Sequence, residues 1–413
     1  MPAATAEHDQ ALVARAAALL QSHGESTSET LAAVDRLNRG LDTSVELAPT
    51  WAGVTVTDRG RNPLSIPAPP AGVGMRTVTI ATQAIDRVGD HTADRDHLRA
   101  ELDRAGGSAA SGLLPFVIAC ATGAAALSII FGAHDATAVL LIAASAALGG
   151  LARRLLGRLH VGILGQVFAA ALIAGTIGGI AVNADLSSSL RLIAVCPAMI
   201  LVPGPHILNG ALDSFSLRIP LGFARLGYAA LVLLAIGTGL ALALALFGTD
   251  LPVEPAGRAV PLWLDVLAAA IAAASYPVYF AMPYRLIVFP VVIGALAHGL
   301  RTWAMVDLGV NIAIGATIAC LVVGMVMAPI SHRLRVPFAG VAFAAVVSLV
   351  PGVYVFRLID ALGELPFGGT PDTLFGALSD GTTAVLIVLG MSLGLAIPKH
   401  LYAQIVSHRE KRS

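Results

Sequence analysis

From about residue 113 onward the chain is a succession of apolar stretches, each near the length of a membrane crossing, and no soluble fold can bury so many. They run about Leu113 to Phe131, Ala136 to Leu151, Val161 to Val182, Leu190 to Leu208 and Leu221 to Phe247, then, after the polar loop GTDLPVEPAGR, about Leu262 to Phe280, Leu286 to Leu300, Leu308 to Ile330, Phe338 to Tyr354 and Thr382 to Ile397. Several fall short of the roughly 20 residues a straight span needs, so broken helices are expected among them. Composition agrees: 56% of the 413 residues are hydrophobic and only 13% charged. The charge is uneven, with 24 of the 52 Lys, Arg, Asp and Glu in residues 1–104. A polar head thus precedes a membrane body.

The net charge of zero argues against a nucleic-acid partner. Cys120, Cys196 and Cys320 lie within apolar runs and read as core packing; no metal site or cofactor is expected. The opening MPAATAEHDQ lacks the basic-then-apolar order of a signal peptide, so the head is expected in the cytoplasm.

In the head, Leu12, Ala16, Leu19 and Leu20 recur at helical spacing up to Gly24. Ser26 and Glu29 form a capping-box pattern opening a second helix to Gly40. Val45/Leu47, Val54/Val56 and Leu64/Ile66 alternate as three short strands, the last two joined at Asp58-Arg59-Gly60. Two more helices follow, Met75 to Val88 and Ala93 to Arg104, giving a small α+β unit. His23, His91 and His97 sit among charges, as on any solvated helix surface.

The body repeats itself. Leu201-Val202-Pro203-Gly204 returns as Leu349-Val350-Pro351-Gly352, and the same spacing of 148 residues carries Val161 to Gly309. Two five-helix halves follow, and an odd number of helices per half inverts one against the other. Arginine placement fits this. With the N-terminus inside, the inner loops and tail hold Arg153, Arg154, Arg158, Arg218, Arg225, Arg285, Arg333, Arg335, Lys399, Arg409, Lys411 and Arg412, whereas the outer loops hold only Arg191, Arg258, Arg301 and Arg357. The expected architecture is an α-helical polytopic membrane protein of about ten transmembrane helices in two inverted five-helix repeats, with a small N-terminal α+β cytoplasmic domain. Its units are residues 1–108, 109–250 and 251–413, with both termini cytoplasmic.

Each Pro-Gly is placed at the end of the short fourth helix of its half, where proline removes a donor and glycine admits unusual torsions. Paired breaks in inverted halves point to a transporter's binding site. Candidate substrate or coupling residues are Pro203, Gly204, His206, Asn209, Asp213 and Arg225 in the first half, and Pro351, Gly352, Arg357, Asp360 and Asn311 in the second. Asn209 and Asp213 lie one helical turn apart, and Tyr354, Arg357 and Asp360 follow the second break. Gln166, Thr317 and Asn311 sit in apolar runs, where helix-to-helix hydrogen bonds are the commoner role. Tyr276, Tyr279 and Tyr284 beside Arg285 read as an interfacial aromatic belt.

The segments ALLQSHGESTSETLAAVDRLNRGL, ILVPGPHILNGALD with GFAR, MPYRLIVFPVVIGALAHGLR, LRVPFAG and SLVPG make the chain similar, over nearly its whole length, to the bacterial threonine/serine exporters. The FGAHD stretch, with Ala133, His134 and Asp135, departs from the family's more glycine-rich version. The resemblance implies a fused head and two membrane parts, separate polypeptides in some relatives. It also implies proton-driven export of small hydrophilic metabolites, threonine and serine by the family's name and dicarboxylates such as succinate for split-chain relatives. The expected partners are a small-molecule substrate, protons and the inner-membrane bilayer; a homo-oligomer is left open. The residues alone also admit a membrane-embedded enzyme using Asp213, His206 and Arg225 on a polar or lipid-linked substrate, and a sensor whose helices only anchor the head.

Overall fold

The structure, a computed structural model, describes residues 3–58, 62–186, 190–249, 260–336 and 338–410. The Arg59-Gly60 turn and most of the GTDLPVEPAGR loop lie outside the described residues. The head contains α1 (Ala3–Ser22), α2 (Thr27–Leu41), β1 (Glu46–Pro49), β2 (Gly53–Thr57), β3 (Leu64–Pro67), α3 (Met75–Gly89) and α4 (Arg95–Gly106), the order read from the sequence. The strands form an antiparallel meander β1-β2-β3 in which Val54 faces Pro49 and Ile66. Val54 and Val56 point inward onto α1 and are fully buried. Gln21 at the end of α1 donates to the carbonyls of Thr50 and Ala68, both at 2.9 Å, tying helix to sheet.

The capping box forms only in part. Ser26 Oγ accepts the Glu29 N–H at 3.3 Å, but Glu29 does not reach back; Glu25 Oε1 accepts the Ser26 N–H at 2.8 Å instead. Glu29 is drawn away to Lys399, as described below.

The body contains α5 (Leu113–Ile130), α6 (Ala136–Arg158), α7 (Ile163–Asn183), α8 (Leu190–Met199), α9 (Gly204–Phe215), α10 (Ile219–Leu246), α11 (Leu262–Tyr279), α12 (Val288–Asp307), α13 (Ile312–Leu334), α14 (Phe338–Val346), α15 (Gly352–Glu364) and α16 (Pro371–Glu410). Without water to satisfy the backbone, helices are what such apolar runs form in a bilayer. Among the described residues eight helices are long and apolar enough to cross, and two bent pairs, α8 with α9 (58°) and α14 with α15 (60°), raise this to ten if each is one span. The chain is a multi-pass membrane protein.

The two Pro-Gly sequences do not end their helices, as expected, but join the arms of these bent pairs. The order of elements in α5–α10 returns in α11–α16, with α10 packed along α7 and α16 along α13. Glycine allows these close approaches: a Cβ on Gly239 would lie 2.5 Å from the Phe168 carbonyl oxygen, and one on Gly394 2.8 Å from that of Thr317. Arg153 and Arg301, related by the 148-residue spacing, mark opposite ends of α11. Arg153 lies over the Tyr279 ring at 5.3 Å, while Arg301 adds its charge beside Asp265.

Three local expectations change. Tyr276 is buried and Tyr279 stacks on Phe116 at 4.8 Å, so only the exposed Tyr284 suits an interfacial belt. Asn311 lies outside the apolar helix and caps α13, accepting the Ile314 N–H at 2.9 Å. Arg153 and Arg154 belong to no loop: α6 continues past Leu151 to Arg158 and folds both arginines beneath aromatic rings.

Candidate functional site

The two breaks are built alike. Pro203 (φ −80°, ψ 55°) and Pro351 (φ −79°, ψ 46°) take the same conformation, and each is spanned by one tight hydrogen bond, Gly204 N to Val202 O at 2.9 Å and Gly352 N to Val350 O at 2.8 Å. They face each other. A Cβ on Gly204 would lie 2.5 Å from the Phe343 ring of the second half, and one on Gly352 3.4 Å from Met199 of the first. The crossing of the broken spans therefore depends on the absence of a side chain at Gly204, whereas a Cβ at Gly352 would make ordinary contact.

On α9, just past its break, His206, Asn209 and Asp213 are all buried, as the i, i+3, i+7 spacing allows. Asp213 forms an ion pair with Arg225 of α10, Oδ2 lying 3.0 Å from Nε, and Arg218 Nη1 stands 3.5 Å from Oδ1. Arg225 is wholly buried. The fourth member comes from the head: Thr27 Oγ1 donates to Asp213 Oδ2 at 2.9 Å and accepts from Arg225 Nη2 at 3.3 Å. Thr27 opens α2, so the positive end of that helix dipole faces the carboxylate. Asn209 Nδ2 donates to the Gly24 carbonyl at 3.3 Å, and Arg218 Nη1 to Ser28 Oγ at 3.2 Å. The 24–28 turn of the head is thereby seated on the membrane site, beside a cavity of about 380 Å³ that Thr27, Asn209, Asp213, Phe343 and Lys399 help to line.

Further contacts hold the head in place. Lys399 Nζ of α16 lies 2.8 Å from Glu29 Oε1, Met75 N donates to the Phe280 carbonyl at 3.0 Å, Arg335 pairs with Asp90, and Trp51 packs on Tyr228 at 5.2 Å. Glu25 and Glu29 respond to this setting in opposite ways. Burial, with Glu29 close by, raises Glu25 to about 7, against the lesser opposing effects of the Ser26 N–H, Lys399 and Arg36. Lys399 holds Glu29 below the usual carboxylate range.

The docked form thus keeps a proton on Glu25 that the unfolded chain loses near 4.5, so stability falls as pH rises from there through about 7. The contribution of Glu29 has the other sign and is lost on acidification below 4.5. Glu25→Gln should therefore raise the unfolding temperature of the full chain at pH 8, where the ionised carboxylate costs roughly 3 kcal/mol, and raise it far less at pH 5. Thermal unfolding at the two pH values checks this; an equal shift at both would show that Glu25 does not titrate in this window.

The second-half candidates are not gathered at this centre. Arg357 of α15 pairs with Asp380 of α16 at 2.9 Å, and Asp360, on α15, has interactions of its own. Each bent pair thus links its second arm, α9 or α15, to the next helix by an Asp–Arg pair, with the acid and base exchanged. His23, expected on the surface, is half-buried with Nδ1 2.9 Å from the Leu19 carbonyl oxygen.

Sequence reading missed two groups. Thr27 is one; it lies 186 residues from Asp213, and no local pattern announces the pairing. The other is a buried network in the second half. His298 Nε2 lies 3.0 Å from Asp265 Oδ1 and Nδ1 3.1 Å from Ser348 Oγ, while Thr302 donates to Asp265 Oδ2 at 2.7 Å. Asp265 in LWLDVL and His298 in ALAHGL, single ionisable residues in apolar runs, were the available signal.

Two broken spans crossing within a helical bundle, with buried charges beside the junction, are features of a membrane transporter. The family model described as a putative threonine/serine exporter matches residues 11–247, and that described as threonine/serine exporter, ThrE, matches residues 265–401. The chain belongs to the threonine/serine exporter family. An uncharacterized protein of Haemophilus influenzae is 26% identical to it over 142 residues, which cover 34% of this chain and 48% of that protein. The chain spans about half the length of this curated relative. No solved structure matches it.

Proposed function

We propose that this chain is a secondary exporter of small hydrophilic amino acids of the threonine and serine kind, driven by the proton gradient across the inner membrane. Its head lies within residues 1–108 and its two inverted membrane halves within 109–250 and 251–413. The carrying observation is the meeting of the two Pro-Gly breaks through Gly204 and Phe343, with His206, Asn209 and Asp213 buried on the arm that follows. The placement of Arg153 and Arg301 at opposite ends of α11 supports the inversion.

In this reading Pro203, Gly204, Pro351 and Gly352 form the hinge of alternating access, and Asn209, Asp213 and Arg225 hold polar groups of the substrate. Thr27 occupies the Asp213–Arg225 pair while the head is seated, so its hydroxyl gives way when a substrate hydroxyl or ammonium arrives. The exchange is nearly balanced, because one hydrogen bond replaces another. Arg357 and Asp360 act through their place on α15, and Asn311 caps the start of α13 rather than touching substrate. Export of labelled threonine from dipeptide-loaded cells tests the reading; an efflux rate unchanged by the protein, for serine as well, would contradict it.

Asp265 and His298 are proposed as carriers of the coupling proton, since an intramembrane His–Asp pair has little other use. His298→Gln should preserve exchange of labelled substrate between the two sides and remove accumulation driven by a pH gradient. Gradient-driven accumulation at the wild-type level in that variant would reduce the network to a helix clamp.

Orientation has its own test. In a variant lacking Cys120, Cys196 and Cys320, a single cysteine at Asp185 should react with an impermeant thiol reagent added outside intact cells, and one at Gly157 should not. The reverse pattern would place the head outside.

A further inference from the structure

A second cavity, of about 380 Å³, lies between the head and the membrane body, at the His206 end of α9. Its wall includes the break itself, through Leu201, Val202 and Pro203, and its polar lining includes Arg76, Arg153, Arg154, Gln166, His206 and Tyr228. Among the described residues no aspartate or glutamate lines it. Three arginines therefore line one cavity that, among the described residues, holds no counter-charge.

The hydrogen-bonding groups are also left over. Arg153 Nε and Nη1, Arg154 Nε and His206 Nδ1 are buried and have no hydrogen-bond partner among the described residues, and His206 is only 5% exposed. Their positions are fixed from behind. Arg154 lies 4.0 Å over the Phe116 ring and donates to the Ser111 carbonyl at 3.0 Å, Arg153 lies over Tyr279, and His206 meets the Tyr228 ring edge-on at 4.9 Å. Rings hold the faces of the guanidinium groups, so the in-plane N–H edges remain for something else. Arg153 and Arg154 are half-buried, and guanidinium N–H groups shielded from water without a partner are costly unless an anion completes them; a planar carboxylate is the group whose two oxygens fit such a fork.

We propose that this cavity is a carboxylate-binding subsite in which Arg153, Arg154 and His206 hold the carboxylate of a small organic acid against the break in α8–α9. Its place in an export route rests on the function proposed above; the binding does not. The carboxylate belongs either to an amino acid, with the ammonium directed away from the arginines, or to a dicarboxylate, whose second group would suit Arg76.

Calorimetric titration of the purified full chain with threonine, threoninol and succinate separates these sources. Threoninol has the threonine side chain and ammonium but no carboxylate. The expected result is that threonine or succinate binds at least ten-fold more tightly than threoninol. Preference for threonine assigns the carboxylate to an amino acid, and preference for succinate to a dicarboxylate. Arg153→Gln should weaken the preferred ligand at least ten-fold, whereas Arg158→Gln, at an exposed arginine outside the cavity, should not. Should Arg153→Gln fail to fold, phenylglyoxal labelling of the wild-type protein gives the same answer, because the ligand should protect Arg153 and Arg154. Equal affinity for threonine and threoninol without succinate binding, undiminished binding in folded Arg153→Gln, or absence of protection would overturn the subsite. Intact binding with no export of the bound ligand would instead defeat the exporter reading and leave the subsite standing.

Discussion

Asp213→Asn is expected to abolish export and to destabilise the protein by about 3–5 kcal/mol, because it strips the counter-charge from a guanidinium that has no access to solvent. Arg225 is 0% exposed, and Asp213 Oδ2 at 3.0 Å is its acidic partner. An amide keeps the shape and can still accept from Thr27, but it cannot neutralise the cation. Arg225→Met should be similarly harmful from the other side, leaving the carboxylate with Arg218 at 3.5 Å. The pair behaves differently when removed together: Asp213→Leu with Arg225→Met eliminates both the attraction and the desolvation cost, so stability should return to within about 1–2 kcal/mol of wild type while export stays absent. Denaturation of the two single variants and the double variant, with export measured on each, separates folding from transport. Export at the wild-type rate by Asp213→Asn would remove this pair from the substrate route.

Gly204→Ala is expected to reduce export at least ten-fold through the crossing of the broken spans. The added methyl would sit 2.5 Å and 2.8 Å from two Phe343 ring atoms, inside any real contact distance, and overpacking of this kind typically costs about 1–3 kcal/mol. Since the obstructed atoms belong to one side chain, Phe343→Leu should restore much of the loss, although it lies in the other half of the protein. Efflux from cells carrying each single variant and the pair provides the test. No rescue by Phe343→Leu, with the protein inserted normally, would mean that the glycine serves the backbone of the turn rather than the contact.

The sequence makes the scaffold legible and leaves the assembled site largely hidden. Apolar runs and the repeated Pro-Gly announce ten crossings and two breaks, because both depend on local chemistry: hydrocarbon length for the first, and proline's missing donor for the second. Ser26 was readable as a cap for the same reason. Glu29 was not readable as the partner of Lys399, nor Thr27 as that of Asp213, because each contact joins the head to a distant part of the body. Arg153 and Arg154 were misplaced because hydropathy ends at Leu151 while the hydrogen bonding of α6 does not, and helical rise then carries both arginines beneath Tyr279 and Phe116. Tyr276 suggested a belt by its position near a helix end, yet it packs inward beside Phe280, with ring centroids 6.1 Å apart. Asp265 and His298 were visible as isolated ionisable residues; only the packing of α11 against α12 reveals them as a pair.

The central claim is that the two broken spans carry a small polar metabolite through the bundle, and substrate exchange in proteoliposomes tests it without relying on a gradient. Vesicles containing the purified protein and loaded with unlabelled threonine or serine should take up the labelled amino acid rapidly, with Asp213→Asn and Gly204→Ala strongly impaired. Uptake no faster than in protein-free vesicles for threonine, serine and succinate alike, by protein shown to be folded and inserted, would contradict it.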